Sequence, residues 1–304
     1  MIGFGETFYK LSGSGNDFVA FDRMASAEPV LPTPEQVRAL CAPGTGVGAD
    51  GVVVLHRAPD VAYQLAYYNR DGSRAELCGN ASLCSVRLAV ELGLAEPSGL
   101  RFLTDSGVLA GRIADGLPEI DLGAPTEVAE ARQDLLDGSG RGDERAVGFA
   151  RVGVPHVVVA CDDSPSIDLL ERAPALRHHA SLRDGANVNF VSPTDDGWSI
   201  RTFERGVEGE TLACGTGSVA SAILLAAWTR SGQVGSPGRA AGPASSAGSV
   251  AAQADHATPT VVRLRTRSGL LHRVTLRGLD GTVRPSLAGD ARIVFRGQLG
   301  EGGW

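Results

Sequence analysis

Apolar residues along this chain fall in short runs bounded by Gly, Pro, Asn and Asp, a pattern that predicts many short strands. Examples are residues 17–22, 51–55, 101–104, 154–160, 188–192 and 261–266. Helical periodicity is scarce. Residues 81–92 carry Leu83, Val86, Val90 and Leu92 near helical spacing, with Gly93 as the stop. Residues 218–229 are apolar almost all round, as expected of a helix enclosed by sheet. A shorter third helix is expected over 34–40. Residues 231–259 are small, polar and rich in Gly, Ala, Ser and Pro, and read as a flexible surface insertion. Residues 137–148 read as a second loop or linker.

The pattern also repeats. Phe8-Tyr9-Lys10-Leu11 and the run ending at Asp22 resemble Phe149-Ala150-Arg151-Val152 and the run ending at Asp162. Gly48-Ala49-Asp50 resembles Gly185-Ala186-Asn187, Tyr68-Asn69-Arg70 resembles Phe203-Glu204-Arg205, and Cys78-Gly79-Asn80 resembles Cys214-Gly215-Thr216. The offsets run from about 135 to 140 residues; Ser106-Gly107 and Ser268-Gly269 match at 162, a surplus roughly the length of the expected insertion. Five weak matches in one order at near-constant offset imply a divergent tandem duplication.

Composition narrows the chemistry. At 304 residues two domains are expected. The net charge is −7 without a basic cluster, which disfavours nucleic acid and anionic membrane as partners. Lys10 is the only lysine, and it lies on an expected strand. A Schiff-base lysine and a GK[ST] phosphate loop are therefore both excluded. No leader-like N-terminus or long apolar span occurs, so a soluble, cytoplasmic protein is expected. Five scattered cysteines (Cys41, Cys78, Cys84, Cys161, Cys214) read as thiols, and the absence of CxxC or HxxxH spacing gives no metal site.

Cys78 and Cys214 stand apart because each precedes an expected helix. Two-fold related domains would bring these equivalent points face to face. A helix N-terminus favours a thiolate and offers backbone N–H groups to a carboxylate. Two thiols acting on one carbon, with its carboxylate held by helix ends, suit the inversion of a stereocentre: one removes the α-proton, the other returns a proton to the opposite face. A redox disulfide between the two is the other reading of the pair.

The segments SGSGNDF (12–18), GVGADG (46–51), YYNRDGSRAELCGN (67–80), VPH (154–156), ANVNF (186–190) and RTFERGVEGETLACGTG (201–217) together resemble the diaminopimelate epimerase family. The resemblance implies an α+β fold of two pseudo-symmetric domains, each an antiparallel sheet wrapped around a central helix. The first domain would comprise 1–124 with a returning strand in 287–304, and the second 125–286. It further implies an epimerase of LL- and meso-diaminopimelate that uses no cofactor and forms a homodimer. Cys78 and Cys214 would be the acid/base thiols, with His156 and Glu204 influencing thiol protonation. Gly79, Asn80, Gly215 and Thr216 would bind the α-carboxylate. Asn16, Asn69, Asn187, Glu204 and Arg205 would bind the rest of the substrate, Arg205 forking onto the distal carboxylate.

From the residues alone, Asn16 and Asn69 suit turns equally well, His156 suits a strand interior, and Glu204-Arg205 suits a surface ion pair. The chain departs from the family pattern at Val154, where Asn is usual, and in the block running from Cys78 to Cys84, which lacks the family's CGNG and Arg. The alternatives carried forward are a racemase of histidine or proline type, a hydrolase using one Cys with His156, and a non-catalytic binding protein.

Overall fold

The computed structural model describes residues 2–26, 30–136, 143–237, 259–279 and 282–301. The chain divides into two compact units, Met1–Leu122 with Leu287–Trp304, and Gly123–Ser286.

In the first unit the elements are β1 (Thr7–Gly13), β2 (Asn16–Arg23), α1 (Pro34–Cys41), β3 (Gly51–His56), β4 (Tyr63–Asn69), β5 (Arg74–Ala75), α2 (Gly79–Glu91), β6 (Leu100–Thr104), β7 (Gly107–Ala114) and β8 (Leu117–Asp121). In the second they are β9 (Glu127–Ala129), β10 (Glu144–Val152), β11 (Val154–Cys161), α3 (Leu169–Arg177), β12 (Asn187–Thr194), β13 (Gly197–Glu204), β14 (Gly209–Thr211), α4 (Gly215–Arg230), β15 (Thr260–Arg265), β16 (Leu271–Leu279) and β17 (Thr282–Gly289). The last strand, β18 (Ala291–Gln298), pairs antiparallel with β1 in the first unit.

Both units use one pairing scheme. β1 and β2 form a hairpin, β2 runs parallel to β3, β3 pairs antiparallel with β4, and β4 runs parallel to β6. In the second unit β10 and β11 form the hairpin, β11 runs parallel to β12, β12 pairs antiparallel with β13, and β13 runs parallel to β15. The duplicated α+β architecture matches the expectation, but the sheets are mixed rather than purely antiparallel. A helix is interposed between each parallel pair β2/β3 and β11/β12, the crossover that parallel pairing demands.

A central helix explains why these strands lack clean alternation. α2 packs against β1, β3, β4, β7, β8 and β18, and α4 against β10, β11, β12, β15 and β16. The other sheet face is covered by a shorter helix. Val37 and Leu40 of α1 pack with Val19, Phe21, Val52 and Val54, while Leu169, Ala173 and Leu176 of α3 pack with Val157, Val159, Val188 and Phe190. A strand covered on both faces reads as a continuous apolar run, and all six residues of β3 are buried.

Two readings of the sequence need correction. Residues 144–148 belong to β10 rather than to a linker, and 137–142 lie outside the described residues. Helix α3 was missed: Pro174 interrupts its interior and its apolar positions are poorly segregated. The Asp168 cap, accepting from the Glu171 N–H, was its local signal. Of the expected insertion, 238–258 lie outside the described residues.

Candidate active site

Each central helix begins at a cysteine. Cys78 is the N-cap of α2 with φ −133° and ψ 117°, and Cys214 is the N-cap of α4 with φ −129° and ψ 112°. Neither side chain closes back to cap its own helix. Their carbonyls accept from Ser82 and Ser218, which starts the helical ladder. The first-turn N–H groups, including those of Gly79, Asn80, Gly215 and Thr216, have no acceptor within the helix. Cys78 is half-buried and Cys214 buried.

The other three thiols are different. Burial pushes Cys41 up to about 11, Cys161 up to about 12, and fully enclosed Cys84 well above the ordinary thiol value. Such groups stay protonated and inert near neutrality.

In the first unit the turn through Ser14 and Gly15, both with positive φ, places Asn16 at the first position of β2. Asn16 Oδ1 accepts from Asn80 Nδ2 at 2.7 Å, and Asn16 Nδ2 donates to Asp50 Oδ2 at 3.0 Å. Asp50 is locked in turn: its N–H donates to Asp17 Oδ1 at 3.0 Å and its Oδ2 accepts from Asp17 N–H at 3.3 Å. Asp50 lies in the GVGADG segment, where no local pattern in the sequence gives it a role. Lys10 pairs with Asp17 and donates to the Gly48 carbonyl, pinning the same loop. Asn69 is engaged in its own turn, its Nδ2 donating to Ser73 Oγ at 3.0 Å.

In the second unit Thr216 stands two places after Cys214, as Asn80 does after Cys78, and its partner is His156, which faces Asn187 in the β11/β12 register. His156 Nε2 lies 3.0 Å from Thr216 Oγ1, and Thr216 Oγ1 lies 3.6 Å from Cys214 Sγ. His156 is fully buried. Desolvation, helped by the nearby Arg205 charge, pushes its pKa down to about 3, so the imidazole is neutral. It therefore reaches the thiol through Thr216. Asn187 opens β12 and its Oδ1 accepts from Arg205 N–H at 2.7 Å, while Arg205 Nη1 donates to the Asp184 carbonyl at 3.2 Å. Glu204 closes β13, half-buried, opposite Gly209.

A further group went unrecognised in the sequence. Asn189 is fully buried behind His156, with its Nδ2 3.3 Å from His156 Nδ1 and its Oδ1 accepting from Thr202 Oγ1 at 2.9 Å. A Cβ at Gly217 would overlap Asn189 Oδ1 and stand 3.3 Å from Cys214 Sγ, so this amide packs directly beneath the first turn of α4. The alternation Asn187-Val188-Asn189-Phe190 was its one signal: polar residues at period two on a strand otherwise buried on both sides.

A cysteine-capped central helix in each copy of a duplicated α+β frame places the chain in a recognisable structural class. It resembles a PhzF-family phenazine biosynthesis protein from Bacillus anthracis, at 14% identity and TM-score 0.66, covering 97% of this chain and 98% of that one. It also resembles a hydroxyproline epimerase from Agrobacterium vitis, at 16% identity and TM-score 0.61, covering 97% and 90%. Sequence is more specific. The diaminopimelate epimerase family model matches residues 8–128 and 148–232. The diaminopimelate epimerase of Gemmatimonas aurantiaca is 43% identical over 96% of this chain and 99% of its own length. That of Chlorobaculum tepidum is 32% identical over 95% and 99%. The chain belongs to the diaminopimelate epimerase family. It is an isomerase, and specifically an epimerase.

Proposed function

We propose that the protein interconverts LL- and meso-diaminopimelate by proton transfer at Cα between two thiols, without metal or organic cofactor. The observation that carries this reading is the pair of cysteine N-caps with near-identical backbone geometry. Inversion requires the proton to leave one face of the carbon and a proton to return on the other, so two acid/base groups are needed. One cysteine, as thiolate, takes the Cα proton and becomes a thiol; the other gives its proton to the carbanion and becomes a thiolate. Amides of Gly79, Asn80, Gly215 and Thr216 bind the α-carboxylate, where negative charge accumulates in the transition state.

Asn16, Asn69, Asn187 and Glu204 contribute polar groups to the substrate, and Arg205 exchanges the Asp184 carbonyl for the distal carboxylate, a stronger, charge-assisted partner. The protein acts in the cytoplasm as a homodimer, with domains at 1–124 plus 287–304 and at 125–286. Among the described residues no helix is long and apolar enough to cross a membrane.

The test is incubation with LL-diaminopimelate in deuterium oxide under reducing conditions, read by mass and chirality. Deuterium at Cα with conversion to the meso isomer supports the reading. A second reading, a racemase of histidine or proline type, is favoured by Val154 at a usual Asn position; faster turnover of either amino acid than of LL-diaminopimelate would establish it instead.

A further inference from the structure

We propose that Asn189 is a positioning residue that fixes the tautomer of His156 and thereby aims the Thr216 hydroxyl proton at the sulfur of Cys214. The inference rests on the two-thiol reading for its consequence, but its geometry stands within the second unit alone.

The orientation of the Asn189 amide follows from its neighbours. Its Nδ2 lies 3.0 Å from the Val157 carbonyl oxygen, which can only accept, and its Oδ1 faces Thr202 Oγ1 at 2.9 Å. Reversing the amide would set oxygen against oxygen at Val157. The second Nδ2 hydrogen then faces His156 Nδ1 at 3.3 Å. A donor opposite Nδ1 requires that nitrogen to accept, so a neutral imidazole carries its proton on Nε2. Nε2–H donates to Thr216 Oγ1 at 3.0 Å. With its oxygen accepting, Thr216 turns its own hydrogen to the sulfur 3.6 Å away.

Every donor therefore points one way, from Thr202 through Asn189, His156 and Thr216 to Cys214, which favours the thiolate form of that cysteine. The arrangement is rigid. Asn189 and Thr202 sit directly opposite each other on β12 and β13, and Thr202, Asn189 and His156 are all buried. No proton need travel along the chain; it sets which groups donate.

Imidazole nitrogen shifts of ¹⁵N-histidine-labelled protein without substrate, with His156 assigned by loss of its signals in His156→Gln, read the tautomer directly. The Nε2–H form is expected in the wild type; the Nδ1–H form would overturn the proposal, whatever substrate the enzyme uses. In Asn189→Asp the new carboxylate accepts from Nδ1, so the tautomer is expected to reverse and kcat to fall with KM little changed. A folded Asn189→Asp protein that keeps both tautomer and kcat would also overturn it. Thr216 supplies a pair of variants that leave Asn189 in place. Thr216→Val is expected to lower kcat on the order of 10- to 100-fold by removing a hydrogen bond to a charged sulfur, and Thr216→Ser to restore most of it. Equal kcat in the Val and Ser variants would refute the role of the hydroxyl. Absence of diaminopimelate turnover in the wild type would count against the substrate reading and leave the tautomer result to decide this one.

Discussion

Asn80 donates its amide to Asn16 across 2.7 Å. In the second unit Thr216, two places after Cys214 as Asn80 is after Cys78, meets His156 at 3.0 Å. In both units a residue two places after the capping cysteine is tied to the strand that follows the first β-turn. The chemistry behind the tie differs. Asn16 leans on the Asp50 carboxylate, whereas His156 leans on the neutral amide of Asn189. Duplication has supplied one scaffold, and substitution has placed an acidic network in one copy and a neutral, buried donor chain in the other.

Replacing either capping thiol is expected to be decisive. Cys78→Ala and Cys214→Ala should each lower epimerisation by at least about 10²–10⁴, since each removes a positioned acid or base. Cys41→Ala, Cys84→Ala and Cys161→Ala should retain activity, because burial holds those thiols protonated. Deuterium incorporation at Cα measures all five; near wild-type exchange by Cys214→Ala would end the two-thiol mechanism.

Gly217→Ala should reduce kcat although alanine is the better helix former by about 1 kcal/mol. The new methyl would overlap Asn189 Oδ1 and press on Cys214 Sγ, and such overpacking costs about 1–3 kcal/mol. Denaturant melts beside steady-state kinetics should show lost stability and a lower kcat; a more stable, fully active variant would contradict the close approach.

Stability should fall on the acid side of neutrality. His156 and His272 are buried, and desolvation lowers them from 6.5 to about 3 and about 4. Below about pH 6.5 the unfolded chain binds protons that the folded chain refuses. Their contribution is therefore complete above that pH and is lost as pH falls toward the folded values, at up to about 1.4 kcal/mol per pH unit for each histidine. Urea melts from pH 7 to pH 4.5 should show the decline, and His272→Gln should flatten it.

The pair Arg172 and Glu144 joins α3 to β10 with three contacts of 2.8–3.1 Å, both side chains being almost fully buried. Arg172→Ala should cost about 3–5 kcal/mol by taking the guanidinium away from a buried carboxylate. Replacing both partners with Leu and Met should cost much less. Unfolding free energies of the single and double variants separate these outcomes, and a mild single variant would show that water enters the site.

The apolar runs and their bounding turns were enough to locate β2, β3, β6, β11, β12 and β15, and the apolar stretches located α1, α2 and α4, because burial demands are written in local composition. The repeated Cys-Gly turns singled out Cys78 and Cys214, since a helix N-terminus is a local event. Pairing direction was not legible: whether β2 and β3 run parallel depends on where α1 sends the chain, which no window of residues encodes. The same holds for α3, whose short, Pro-interrupted pattern becomes a helix because β12 and β13 offer it an apolar face. Asn189 and Thr202 are the clearest case. They stand 13 residues apart, and only strand register sets them opposite each other and behind His156. A hydrogen-bond direction belongs to all the partners at once, so the tertiary structure alone decides which way the chain to Cys214 points.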